Sequence, residues 1–187
     1  MKKTTISTKR LVLDAVLIAL YVLLGFLKIP IGNMLRVNMA SFAVILCAVA
    51  FGPVDGLIVG FMGEFLSQIL GPYGLTPTTL LWALPEGVRG LTLGLSVLML
   101  RKANLQPTNR ISRTTAIYLL ACIFTGILAS LLNTFALYVD SKMFGYYNDY
   151  MVFGVLVIRL TMAVLMSGAF GYIAQIVISA LRRNKFL

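Results

Sequence analysis

Long apolar runs separated by short polar breaks organise this chain. Dividing it at Gly, Pro and charge yields six apolar segments, approximately Leu11 to Ile29, Met39 to Phe51, Gly56 to Leu70, Thr79 to Leu100, Thr114 to Val139 and Met151 to Leu181. The second and third fall short of the ~20 residues a spanning helix needs, so they call for support from neighbours or from re-entrant turns. Six spans put both termini on one side. The pattern therefore predicts an all-α integral membrane fold with six transmembrane helices, and a single membrane domain over residues 1–187 with a polar loop at about 101–113.

Composition strengthens this picture. The chain is 59% hydrophobic and only 12% charged, with a mean hydropathy of +0.93, and a soluble fold of this size has too much surface to hide that apolar content. The N-terminus begins like a signal peptide, but its apolar run is about as long as a full span and lacks a convincing cleavage site.

A formal net charge of +10 would point to nucleic acid in a soluble protein. Here the charges sit elsewhere: Lys2, Lys3, Lys9 and Arg10; Arg101, Lys102, Arg110 and Arg113; Arg182, Arg183 and Lys185. Basic clusters flanking apolar spans mark the cytoplasmic side, where they also meet anionic lipid. Only Lys28, Arg36 and Lys142 fall in the opposite loops, and Arg89 and Arg159 lie within spans. Both termini are thus expected in the cytoplasm of a multi-pass protein of the bacterial plasma membrane, with no nucleic-acid partner.

The absence of histidine excludes His-based zinc sites, Ser-His-Asp triads and histidine relays. Cys47 and Cys122 lie in apolar runs and read as small core residues. No metal site, cofactor or catalytic group is expected. Small residues at four-residue spacing, Ala15 and Ala19, Gly56 and Gly60, Gly90 and Gly94, would let helix backbones approach closely.

An ionised side chain at mid-membrane costs at least about 2.5 kcal/mol, so each should have a partner or a cavity. Glu64, Glu86, Arg89 and Arg159 pose that demand. Glu86 and Arg89 are i, i+3 neighbours and would pair, either as a purely internal ion pair or as the border of a pocket. Pro85 beside them predicts a kink. Upstream, "LTPTTLLW" reads as a helix start with Thr76 as N-cap and Pro77 in the first turn, its amides and dipole facing the outer side. Ser130, Asn133 and Thr134 share one face of the fifth span, and Glu64, Ser67 and Gln68 one face of the third. Together Arg36, Arg89 and Arg159 offer three guanidinium groups on or within reach of the outer half, a pattern suited to a carboxylate-bearing ligand.

These residues resemble the substrate-binding S components of energy-coupling factor (ECF) vitamin transporters. "AVLIA" looks like that family's A-x-x-x-A docking motif, giving Ala15 and Ala19. "LRVNMASFAVILCAVAFGPVDGLIVGFMGEFLSQIL" is similar to its Arg-containing entry loop, span, "FGP" turn and Gly-rich third span. "LLNTFALYV" followed by Arg159 resembles the folate-type branch. The stretch "YGLTPTTLLW" departs from the aromatic-Pro-Gly-Phe-Thr-like sequence usual there, which leaves pantothenate or another water-soluble vitamin as a competing substrate. The resemblance implies a non-enzymatic, high-affinity vitamin-binding subunit that docks on a transmembrane coupling subunit and is driven by two ATPase subunits. The sequence itself has no G-x-x-x-x-G-K-[ST] loop.

On this reading the ligand contacts are Arg36, Arg89 and Arg159 as carboxylate partners, Trp82 as a stacking surface, Glu86 as an acceptor or as the group orienting Arg89, and Asn133 as donor and acceptor, with Gly74, Leu75, Thr76, Pro77 and Thr78 closing part of the mouth. An intramembrane enzyme would need clustered acids, whereas Asp14, Asp55, Asp140 and Asp149 are scattered. A structural assembly subunit would leave the inward charges unexplained.

Overall fold

The computed structural model describes residues 8–31, 35–72, 74–103 and 112–183. Its order is α1 (Thr8–Phe26), β1 (Lys28–Ile31), β2 (Leu35–Asn38), α2 (Ser41–Ala50), α3 (Pro53–Ile69), α4 (Thr79–Lys102), α5 (Arg113–Phe144), a π turn (Tyr150–Gly154) and α6 (Leu156–Arg183). Each of the six apolar segments holds one helix. The all-α expectation needs one correction, because β1 and β2 form an antiparallel hairpin in which Ile29 faces Val37 and Pro30 faces Arg36. The cause is local. Pro30 biases Ile29 away from helical backbone, so α1 stops short of the expected Ile29 and the β-branched residues continue as a strand.

Other boundaries differ too, among them the start of α6 at Leu156 rather than Met151, after the π turn. α5 runs to Phe144 rather than Val139 and ends at Gly145, whose φ of +77° supplies the left-handed turn that closes a helix. α4 starts at Thr79 with Thr78 as N-cap, not at Thr76, and no side chain caps it. The Thr76 amide instead donates to Thr79 Oγ1 at 2.8 Å, and Thr78 Oγ1 donates to Asp140 on α5. Thr78 is thus drawn away from capping by a tertiary partner. α4 continues through Pro85 to Lys102 as one helix.

Short α2 is the hub of the bundle. Seven of its ten residues are buried, Ser41, Ala43, Val44, Ile45, Cys47, Ala48 and Val49, so its length is set by protein neighbours and not by bilayer thickness. Ile45 and Val49 join Leu93 and Val97 of α4, Tyr118 and Cys122 of α5, and Phe170 and Ala174 of α6 in one core. Gly52 turns the chain from α2 into α3 with φ +111°, and Pro53 opens α3.

α3 and α4 meet backbone to backbone. A Cβ on Gly60 would lie 2.3 Å from the Glu86 carbonyl oxygen, and one on Gly90 would lie 2.0 Å from that of Gly56. The small-residue spacing seen in the sequence thus builds a seam that only glycine permits.

The outward faces are apolar: Leu120, Phe124, Leu131 and Phe135 on α5, and Val157, Ile158 and Leu165 on α6, are exposed. Thr79–Lys102, Arg113–Phe144 and Tyr150–Arg183 are long and apolar enough to cross a membrane. Basic residues gather at one end of the bundle. Arg10 pairs with Asp55 and donates to the Phe51 carbonyl, Arg101 donates to the Val49 carbonyl, and Arg182 shares a cleft with Arg101.

Candidate functional site

All six helices contribute to a cavity of about 210 Å³. Trp82, Glu86 and Arg89 reach it from α4, where spacings of four and three residues keep them on one face. The α3–α4 seam fixes the backbone under this triplet, since Gly60 packs against the peptide between Glu86 and Gly87.

Glu86 and Arg89 form a buried pair. Glu86 Oε1 accepts from Arg89 Nη1 at 3.2 Å and from Ser41 Oγ at 2.8 Å. Arg89 Nη2 donates to Ser167 of α6. Gly126 is needed for this contact, because a Cβ there would fall 1.9 Å from Ser167 Oγ. Glu86 Oε2 and Arg89 Nε have no hydrogen-bond partner among the described residues. A buried polar atom left unmade costs about 1–3 kcal/mol, so the pair holds unused bonding capacity beside the cavity.

Glu64 of α3 forms a second polar group in the wall. It accepts from the Tyr21 hydroxyl at 2.6 Å and from Gln68 Nε2 at 2.7 Å. Tyr21 reaches it because Gly63 leaves room for the ring, which a Cβ would approach to 2.6 Å. Arg159 enters from α6 and donates from Nη2 to the Met151 carbonyl at 2.7 Å. Its described partner is therefore a peptide carbonyl and not a carboxylate. Ser130 and Asn133 of α5 add neutral polar groups, and Met162, Met166 and Phe170 of α6 close the apolar side.

Of the residues singled out in the sequence, Trp82, Glu86, Arg89, Asn133 and Arg159 border this one hollow. Arg36 has its backbone in β2, and its side chain lies outside the described residues. Gly74, Leu75, Thr76, Pro77 and Thr78 are not among the lining residues; the Thr76 hydroxyl instead bonds to those of Thr78 and Thr79. Ala15 and Ala19 are exposed on α1. Among the described residues no cluster of His, Cys, Asp or Glu suits a metal ion.

Sequence reasoning missed Tyr21, Asn38 and Ser41 and the methionines of α6. Tyr21 and the methionines carry no signal, since an aromatic or a Met in an apolar helix is ordinarily core. Ser41 had a faint one, as a hydroxyl opening a short helix that is otherwise wholly apolar.

A bundle of apolar helices closed around a polar, charge-bearing hollow is the architecture of a membrane protein with room for a small molecule. The family model described as the ECF-type riboflavin transporter S component matches residues 5–184. The chain belongs to that family, one of transporter components and not of enzymes. A UPF0397 protein of Streptococcus pneumoniae (strain CGSP14) is 33% identical over 90 residues, 48% of this chain and 48% of the relative. A UPF0397 protein of Vibrio atlanticus (strain LGP32) is 30% identical over 95 residues, 50% of each. The matched part spans about half the length of these curated relatives. Two solved structures share the fold. One, reported as the S component of a bacterial ECF transporter, has a TM-score of 0.56 at 22% identity and covers 94% of each chain. The other, an S component for biotin from an ECF-type ABC transporter, has a TM-score of 0.60 at 16% identity and covers 96% of this chain and 95% of its own. The folate-type branch read from "LLNTFALYV" is not the description that this family model carries.

Proposed function

We propose that this S component takes up a water-soluble vitamin with an anionic tail, folate being the first reading and pantothenate the next, through the cavity between its six helices. One observation carries the reading: Arg89 and Arg159, from different helices, face the same hollow, and Arg159 has no carboxylate partner among the described residues. A half-buried guanidinium without a counter-charge favours an anion. Trp82 then stacks on the heterocycle, Asn133 supplies a donor and an acceptor, and the Glu86–Arg89 pair meets the ring edge. Arg36 and the 74–78 segment complete the mouth at the outer side. In this arrangement six spans cross the membrane and both termini face the cytoplasm. Ala15 and Ala19 dock on a transmembrane coupling subunit, and two ATPases supply the energy.

The family match favours a second reading, riboflavin. That vitamin is uncharged and would use the ring-edge donors and acceptors without Arg159. Trp82 is the single tryptophan and lines the cavity, so its quenching reports binding directly. Titrating the purified chain with folate, pantothenate and riboflavin separates the readings. The anionic reading expects saturable quenching by folate or pantothenate, weakened about tenfold or more in Arg159→Gln, as loss of a charged hydrogen bond implies. Saturation by riboflavin alone, with an affinity indifferent to Arg159→Gln, would establish the second reading and end the first. For docking, Ala15→Trp should abolish uptake into vesicles that carry the whole transporter while leaving Trp82 quenching by the vitamin intact once the added tryptophan is allowed for. Undiminished uptake would remove that role from α1.

A further inference from the structure

Away from the vitamin cavity, at the end of the bundle where basic residues gather, α4 and α6 enclose a small cleft lined by Arg101 and Arg182, with Val49, Val97 and Ile178 as its apolar floor and Gln175 in its wall. Both arginines stand in the last turns of their helices. The floor is part of the main core, so the cleft is set in packed structure.

Arg101 is held in place for an identifiable reason. The Val49 carbonyl would normally accept from the amide four residues on, but that residue is Pro53, which has none. Arg101 Nη2 fills the gap by donating to that carbonyl. Its aliphatic stem is thereby laid across the cleft, and its remaining N–H groups are left for other partners.

Charge accounting then makes a demand. The chain has six acidic residues, Asp14, Asp55, Glu64, Glu86, Asp140 and Asp149. None of them lines this cleft, and the ion pairs among the described residues are Arg10–Asp55 and Arg89–Glu86. Arg101, half-buried, and Arg182, exposed, therefore share a cleft with no carboxylate among the described residues to balance them. Like charges in such a place repel, and an anion between them converts that repulsion into two charge-assisted contacts.

We propose that the Arg101–Arg182 cleft is a phosphate-binding site, taking the headgroup phosphate of an anionic phospholipid or a free phosphate. A planar guanidinium matches two phosphate oxygens at once, and two of them from separate helices clamp the group. A bound phosphate ties the ends of α4 and α6 together without touching the vitamin cavity.

The test uses the full chain in nanodiscs of phosphatidylcholine, with and without phosphatidylglycerol, and separately with inorganic phosphate added to the phosphatidylcholine discs. Thermal unfolding and native mass spectrometry supply the readouts. Phosphatidylglycerol should raise the melting temperature and remain bound in the mass spectrum. Arg182→Gln should cut the retained lipid about tenfold, the loss expected of one charged hydrogen-bonding partner. Arg183→Gln, which removes the same charge from an exposed neighbour outside the cleft, should retain the lipid as wild type does. Trp82 quenching by the vitamin in all variants verifies that they are folded. Stabilisation by inorganic phosphate alone, lost in Arg182→Gln, would assign the site to the free ion. Equal losses from Arg182→Gln and Arg183→Gln would reduce the effect to general surface charge, and no response to either phosphate source would remove the site; each of these two results overturns the proposal.

Discussion

The two sides of the cavity are built by different means. On the α3–α4 side glycines on both helices bring backbones into contact, Gly60 against Glu86 and Gly90 against Gly56, with no room for a single methyl group. On the α5–α6 side glycine also permits close approach, Gly126 against Ser167 and Gly171 against Cys122, but the atoms met are mainly those of side chains, and the lining from α6 includes Met162, Met166 and Phe170. Backbone contacts leave no rotamers to adjust, whereas methionine fills irregular space through three rotatable bonds. The side that carries Trp82, Glu86 and Arg89 is therefore the rigid one, and the side facing them is adaptable. This division matters because about 210 Å³ lies below the ~300–1,000 Å³ of pockets that enclose drug-sized ligands. On the proposed function, a ligand larger than the hollow would be accommodated by shifting one side, and the methionine side has the rotatable bonds to do so.

The largest effect should come from the seam. Gly90→Ala places a methyl group 2.0 Å from the Gly56 carbonyl oxygen, a backbone atom that cannot turn aside. A loss of about 3 kcal/mol, the upper range for overpacking, or failure to yield folded protein, should appear in thermal unfolding. Gly168→Ala on α6 is the matched control, since its Cβ would meet Ile123 at an ordinary 3.9 Å, and no loss but a gain of up to about 1 kcal/mol from helix propensity is expected. Equal losses at the two positions would erase the contrast.

Next in size is the buried pair. Arg89→Gln strands Glu86 in the bundle, and breaking such a pair costs about 3 kcal/mol, together with vitamin binding. The double variant Glu86→Gln, Arg89→Gln should recover most of the stability but not the binding, measured by unfolding and by Trp82 quenching. Recovery of both would make the pair a packing device alone. A smaller step tests its positioning. Ser167→Ala removes one hydrogen bond from Arg89 and should weaken vitamin affinity about fivefold, as the loss of roughly 1 kcal/mol implies. The pH profile of binding should stay unaltered, since serine itself does not titrate.

What the sequence revealed of this arrangement follows from how local each cause is. The helices were legible because Gly, Pro and charge interrupt apolar runs, and the seam was legible as four-residue spacing in Gly56, Gly60, Gly90 and Gly94. The hairpin escaped notice because Lys28 to Asn38 looked like a connection, although Pro30 and its β-branched neighbours held the reason. The start of α4 was misplaced because Thr78 answers to Asp140, sixty-two positions away, and no local rule contains that. In the site, Glu86, Arg89 and Arg159 announced themselves through the cost of charge in lipid. Tyr21 and Ser41 did not, because each acquires its role only from the carboxylate it meets, Glu64 and Glu86 respectively.

The finest test of the two-sided cavity is Met166→Leu. The exchange preserves volume and apolar character but takes away one rotatable bond and the polarizable sulfur. On a wall that yields, the folded protein should lose less than about 1.5 kcal/mol, the range for volume-conserving swaps. Vitamin affinity should then fall by about threefold or less, because the larger cost lies in moving the wall and not in any contact that sulfur makes. The association rate is the sharper readout. If α6 must open for the vitamin to enter, a stiffer side chain at Met166 slows entry and leaves dissociation less affected, and stopped-flow quenching of Trp82 separates the two. A drop in stability as large as that of Gly90→Ala would mean that the α6 side is packed as tightly as the glycine seam, and the ligand would then have to be accommodated elsewhere.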